Sequence, residues 1–144
     1  MINLYNTNNF WGKTMIKWKE DYKIGIDIID EQHQKLFEIA GRAYDLLKNN
    51  FKMDKYDAIV DIMEELKEYT AYHFKTEEDY MQSSGYKRFF SQKVQHNDFI
   101  EKINGIDLKK VDDNQGTYLI EILEFIANWI GEHILGQDKL ISEK

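Results

Sequence analysis

Apolar residues recur at helical spacing through four long stretches of this chain, and no sustained alternation of polar and apolar residues competes with them. Proline is absent from all 144 residues, so no residue of that kind interrupts a long helix. The first stretch carries Ile29, Leu36, Phe37, Ala40, Tyr44 and Leu47, with Asp27 or Asp30 as N-cap and Asn49–Asn50 at its close. The second, about 54–83, places Ile59, Ile62, Met63, Leu66, Tyr69, Tyr80 and Met81 on one broad face and stops at Gly85. The third, about 86–103, carries Phe89, Phe90, Val94, Phe99, Ile100 and Ile103. The fourth, about 113–135, carries Tyr118, Leu119, Ile122, Phe125, Ile126, Trp129, Ile130 and Ile134. Four long helices with short connections predict an all-α fold, an antiparallel up-down four-helix bundle.

The length suits one domain over residues 1–144: an N-terminal aromatic arm (1–25), the bundle (about 26–138) and a tail (139–144). Phe10, Trp11, Ile16, Trp18, Tyr22 and Ile24 give the arm too many large apolar groups to leave in water, so it is expected to lie over the core. A composition 42% hydrophobic and 14% aromatic argues against disorder. The net charge of −7, with basic residues interleaved among acidic ones, offers no stripe for nucleic acid or an anionic membrane. No stretch approaches the ~18 continuous apolar residues of a membrane span. The N-terminus lacks the order of a signal peptide, which makes the cytoplasm the expected location. Cysteine is absent, so disulfides, iron–sulfur clusters and thiolate zinc sites are excluded. Any metal must be bound by nitrogen and oxygen.

Each helical stretch holds one of the chain's four histidines, His33, His73, His96 and His133, on its apolar face. Residues four apart differ by about 40° around a helix, so His73 and Glu77 share a face, and so do Gln92 and His96. Asp138 follows His133 by five positions, about 140° away on an ideal helix. A shared ligand there requires a widened or unwound turn, which Gly136 would make cheap. Singly, each of these residues reads as ordinary: a hydrogen-bonded core histidine, a solvated ion pair, a surface amide. Jointly they do not, because four neutral rings buried together without partners would each cost free energy in unmet hydrogen bonds. A metal in the middle of the bundle removes that cost. Imidazole with carboxylate suits iron, manganese or zinc, and two carboxylates among six donors exceed what one tetrahedral ion needs. Two metals bridged by Glu77 and Asp138 is the economical arrangement.

The segments WKEDYKIGIDIIDEQHQKLF (18–37), HFKTEEDYM (73–81), GYKRFFSQKVQHNDF (85–99) and WIGEHILGQD (129–138) resemble the hemerythrin family in its bacterial single-domain form. The match runs in order from Trp18 to Asp138, through W…D-x-x-H, H-x-x-x-E and W-x-x-x-H-x-x-x-x-D. The resemblance implies two non-haem iron ions, oxo- or hydroxo-bridged, that bind O2 reversibly at one of them. His33 and His73 would hold the iron with the open position, Glu77 and Asp138 would bridge, and His96 and His133 would hold the second iron with a third histidine. Leu36, Phe74, Trp129, Ile130 and Ile134 fall where the family lines its oxygen pocket. The departure is Gln92, which stands at the family's third histidine; its spacing to His96 confirms the register. Gln92 could ligate through its carbonyl, could yield to water, or could leave the second metal weakly bound or absent.

Three functions compete: an O2-binding protein for carriage, storage or sensing; a diiron peroxidase or oxidase; and an iron-handling bundle with a single ion or a partly filled site. O2 or a related small oxidant is the expected partner, with no nucleic acid and no membrane. A protein partner is not readable.

Overall fold

The computed structural model describes residues 16–48, 56–106 and 116–143. Its helices are α1 (Asp27–Lys48), α2 (Tyr56–Ser84), α3 (Phe89–Asn104) and α4 (Gly116–His133). A π-helical turn (Ile134–Asp138) continues α4 and leads into a short α5 (Lys139–Glu143). There is no strand among the described residues. Helix α1 packs against both α2 and α4, and α2 against α3, the adjacency of a four-helix bundle.

Most of the apolar positions read from periodicity form the core, although Tyr118 and Phe125 of α4 are exposed because they lie off its buried stripe. Ile29, Leu36, Phe37, Ala40, Tyr44 and Leu47 of α1 are buried, with Ile59, Met63 and Leu66 of α2 and Leu119, Ile122, Ile126 and Ile130 of α4. The α3–α4 seam is filled by rings: Phe99 stacks on Trp129 at 4.0 Å and lies 6.0 Å from Phe125. Helix α3 buries less than its apolar content predicts. Phe90 is 77% exposed and Val94 58% exposed, because α3 turns a narrow stripe of Gln92, His96, Phe99 and Ile103 inward and these two lie off it.

Helix ends follow local chemistry. Gly85 takes a left-handed φ of 71°, and Tyr86 N–H donates to the Met81 carbonyl at 3.0 Å, the closing bond of a Schellman turn. The start of α1 differs from the expected cap. Asp30 lies inside the helix, and its carboxylate reaches back to accept from Ile24 N–H (2.8 Å) and Gly25 N–H (3.0 Å). Both donors precede the helix and lack partners within it.

Asp30 thereby ties down the described part of the arm. Ile16 and Ile24 are buried, Tyr22 stacks on Phe37 at 5.0 Å, and the 3-10 turn Glu20–Tyr22 rests against the π turn. Phe10 and Trp11 lie outside the described residues. A side chain at Gly131 would stand 2.9 Å from the Tyr22 hydroxyl, so the arm's close approach to α4 requires glycine there. Residues 139–143, expected as a tail, instead form α5, because Ile141 finds a fully buried place.

Asp30→Ala should lower stability by about 2–3 kcal/mol, since it leaves the buried Ile24 N–H without its acceptor. Urea unfolding should show the loss, and amide exchange at Ile24 and Gly25 should accelerate more than at α2. Unchanged exchange at both amides would refute the clip.

Candidate metal centre

All four helices deliver side chains to one point in the bundle. His33 comes from α1, His73 and Glu77 from α2, Gln92 and His96 from α3, and His133 from the end of α4. Asp138 arrives on the π turn, whose i→i+5 pattern puts it on the face of His133. The spacing that is awkward for an α-helix is met by this widened turn. Gly136 has open space around it and no positive φ, so neither crowding nor strain accounts for glycine there.

The donors form two overlapping quartets. One is His33, His73, Glu77 and Asp138; the other is Glu77, His96, His133 and Asp138, with donor atoms in each within 4.8 Å of one another. Both carboxylates belong to both quartets, as bridging residues would. All six side chains are buried, and so is Gln92.

Glu77 is the hub. His33 Nε2 lies 3.1 Å and His73 Nε2 3.3 Å from its Oε2, and His96 Nε2 lies 3.3 Å from its Oε1. His33 Nε2 also lies 3.2 Å from Asp138 Oδ2, and His133 Nε2 3.4 Å from Asp138 Oδ1. Burial opposes charge here, yet the rings of His73, His33 and His96 hold the Glu77 carboxyl well below its usual range. Burial likewise works against protonating His33 and His96, but the carboxylates facing them win and raise each to about 9. His73 is pushed the other way, chiefly by burial.

Residues outside the quartets aim the rings, and their hydrogen bonds can be read in sequence. Thr76 Oγ1 donates to the Tyr72 carbonyl at 3.2 Å, and Gln32 Nε2 donates to Thr76 Oγ1 at 3.2 Å. The Gln32 carbonyl is then left to accept from His73 Nδ1 at 2.8 Å. In the neutral ring this leaves the lone pair on His73 Nε2, which faces a carboxylate oxygen. His96 Nδ1 is held by Glu78 Oε2 at 2.9 Å in the same manner. Phe74 lies flat on His96 at 3.8 Å, and Trp129 on His133 at 4.5 Å.

The donor set fits a cation. Glu77 Oε1 and His96 Nε2 are fully buried and face one another, yet neither makes a hydrogen bond. His73 Nε2 and Glu77 Oε2 oppose one another as two acceptors. An ion between them answers both deficits.

Every sequence-predicted ligand, with Gln92, converges on this cluster. Leu36, Ile130 and Ile134 are buried in the adjoining core, with Phe74 and Trp129 on the rings of His96 and His133. Sequence reading missed Gln32 and Glu78. Each is the chain neighbour of a candidate ligand, and neighbours on a helix point about 100° apart, so only the packed partner helix reveals their role.

Residues 24–144 match the model of the hemerythrin HHE cation binding domain. The bacteriohemerythrin of Clostridium acetobutylicum is 50% identical over 125 residues, covering 87% of this chain and 97% of that protein. The myohemerythrin of Sipunculus nudus is 28% identical, covering 81% of this chain and 82% of its own length. A crystal structure of wild-type hemerythrin superposes with a TM-score of 0.72 at 21% identity, over 88% of this chain and 95% of that one.

Two outcomes follow. Gln32→Ala frees the His73 ring and should weaken metal binding by roughly 10–100-fold, measured by competition with a chelator, while Gln32→Glu retains an acceptor and most of the affinity. Equal affinity in Gln32→Ala and the parent would contradict the aiming role. The metal-free protein should also lose stability as pH rises from 6.5 to about 9. His33 and His96 have folded-state values above their unfolded value, so their contribution is complete below 6.5 and vanishes through 9. Thermal melts of the metal-free chain across that range test it, and a flat profile would contradict it.

Proposed function

Because the chain belongs to the hemerythrin family, we propose that its buried donors hold two non-haem iron ions and that the loaded protein binds O2 reversibly, for carriage, storage or sensing. The observation that carries this reading is the pair of overlapping quartets sharing Glu77 and Asp138. His33 and His73 are assigned to the iron with an open position, His96 and His133 to the other, and Glu77 and Asp138 to the bridge. When bound, the iron pair supplies the electrons and the coordination position that reversible uptake of O2 requires.

The protein's own residues supply orientation and dryness. Gln32 presents the His73 lone pair inward, and Glu78 anchors His96. Leu36, Phe74, Ile130 and Ile134 are buried and Trp129 partly so, an apolar wall around the cluster in which Phe74 and Trp129 cover the His96 and His133 rings. No helix among the described residues is long and apolar enough to cross a membrane.

A second reading, peroxide or oxidase chemistry at the same centre, is favoured by Gln92. A half-site with one imidazole fewer gives an oxidant another point of access, which speeds irreversible oxidation at the expense of stable carriage.

Anaerobic reconstitution should give two irons per chain and an optical spectrum that changes on O2 exposure and returns under vacuum. One iron or fewer, or no oxygen-dependent band, would sink the O2-binding reading. Stopped-flow mixing with air should show oxidation that Gln92→His slows. If oxidation is slow and that substitution leaves it unchanged, the peroxide reading is removed.

A further inference from the structure

Two buried glutamines treat two rings in opposite ways. Gln32 stands outside the cluster and leaves His73 Nε2 free to face it. Gln92 stands inside. Asp138 Oδ1 accepts only, so the Gln92 amide nitrogen must face it, at 3.0 Å. The Gln92 carbonyl then faces His133 Nε2 at 2.7 Å. A carbonyl also accepts only, so that ring nitrogen carries the proton. Turning the amide over would set a carbonyl against a carboxylate.

These two hydrogen bonds occupy one ring nitrogen and one carboxylate oxygen of the quartet Glu77, His96, His133 and Asp138. A cation entering there has to displace both bonds, and it gains at most an amide oxygen in place of an imidazole. In the other quartet His33 Nε2 and Glu77 Oε2 also pair, at 3.1 Å, but there both partners are donors of the quartet itself, and among the described residues no amide stands between its rings.

Access differs as well. His33 and His73 are at most 1% exposed, whereas His133 is 6% exposed and lies in the wall of a groove of about 320 Å³. The groove runs along the seam of α3 and α4 that the large rings fill, and Gln95, Asp98, Glu132 and Gln137 line it with His133, beside Trp129 and Lys102, whose single ammonium the two carboxylates outweigh. Carboxylate and amide oxygens suit a partly hydrated divalent cation.

Resting on the two-metal reading above, we propose that the two positions are unequal by construction. The His33–His73 half retains its ion. The His96–His133 half is an exchangeable position for a divalent cation, loaded and emptied through the α3–α4 groove, with Gln92 as a latch that reclaims His133 and Asp138 when the cation leaves. The chain then exists in one-metal and two-metal forms set by the supply of divalent cation.

The test uses Co(II) alone, added under argon to the full metal-free chain, with visible absorption to follow binding and EDTA to follow release. Two binding steps are expected, separated on the order of 10–100-fold, the scale on which a disturbed ligand set loses metal. One equivalent should leave rapidly in EDTA and one slowly. Gln92→His should narrow the separation and slow the rapid phase by about 10-fold or more. The surface change Glu132→Lys, which cannot disturb the core, should slow the rapid phase and leave the slow one unmoved.

Release of both equivalents in a single phase would overturn the proposal, as would a split that Gln92→His leaves intact. No effect of Glu132→Lys would overturn the assigned route. One equivalent at saturation in the parent and two in Gln92→His would overturn the exchangeable position, because the parent would then never load it. One equivalent in both would instead overturn the two-metal reading, and this inference with it.

Discussion

The rest of the structure answers to Glu77, a carboxylate with no exposure at all, set among the ring nitrogens of His33, His73 and His96. Removing such a charge from water costs several kcal/mol even after relaxation, and removing three imidazoles with it adds to that. Apolar packing cannot offset this cost locally, because the groups have to be matched in charge and hydrogen bonding. The metal-free cluster does so partially, by protonating His33 and His96 and holding Glu77 ionised. The match is incomplete: Glu77 Oε1, His96 Nε2 and His33 Nδ1 stay without hydrogen bonds. A fold that keeps buried polar atoms unsatisfied at its centre is organised around something that satisfies them.

The sequence disclosed this organisation unevenly, for physical reasons. Helical periodicity located four helices because each buries a continuous stripe, and every apolar residue read for α1 is buried, though Ile39 and Ala43 on the same stripe were missed. It could not separate Phe90 and Val94 from the core, because apolar content alone does not fix which way a helix faces. The place of Gln92 was legible because its spacing to His96 is set by helix geometry. What it bonds to was not, since its partners His133 and Asp138 lie 41 and 46 residues away. Asp30 was visible as a capping residue but not as one reaching backward, a matter of the path of the arm. Helix α5 was hidden by length: two apolar residues in a polar run carry no period.

The i+5 step from His133 to Asp138 shows how a local irregularity becomes affordable. A π turn is rare because its hydrogen bonds are poorer than those of an α-helix, so its neighbours have to hold it. Upstream, Trp129 lies flat on His133 and fixes the ring. Downstream, α5 anchors the chain through the fully buried Ile141. From the side, the turn Glu20–Tyr22 rests against it, with Gly131 leaving room for the Tyr22 ring. Asp138 is therefore positioned by Trp129, α5 and the turn Glu20–Tyr22, none of which contributes a donor.

That dependence gives the N-terminal arm a role beyond covering apolar surface. Asp30 lies three residues before His33, and its carboxylate fastens Ile24 and Gly25, which carry the arm across to the π turn. One aspartate thus couples the helix that bears His33 to the segment that steadies Asp138. His33 and Asp138 then meet at 3.2 Å. The D-x-x-H spacing has a mechanical meaning on this view. Its histidine supplies a donor, and its aspartate secures the packing that sets where the opposing carboxylate stands. A substitution in the arm, far from every donor in sequence, would act on the site through Asp138, the residue shared by both quartets.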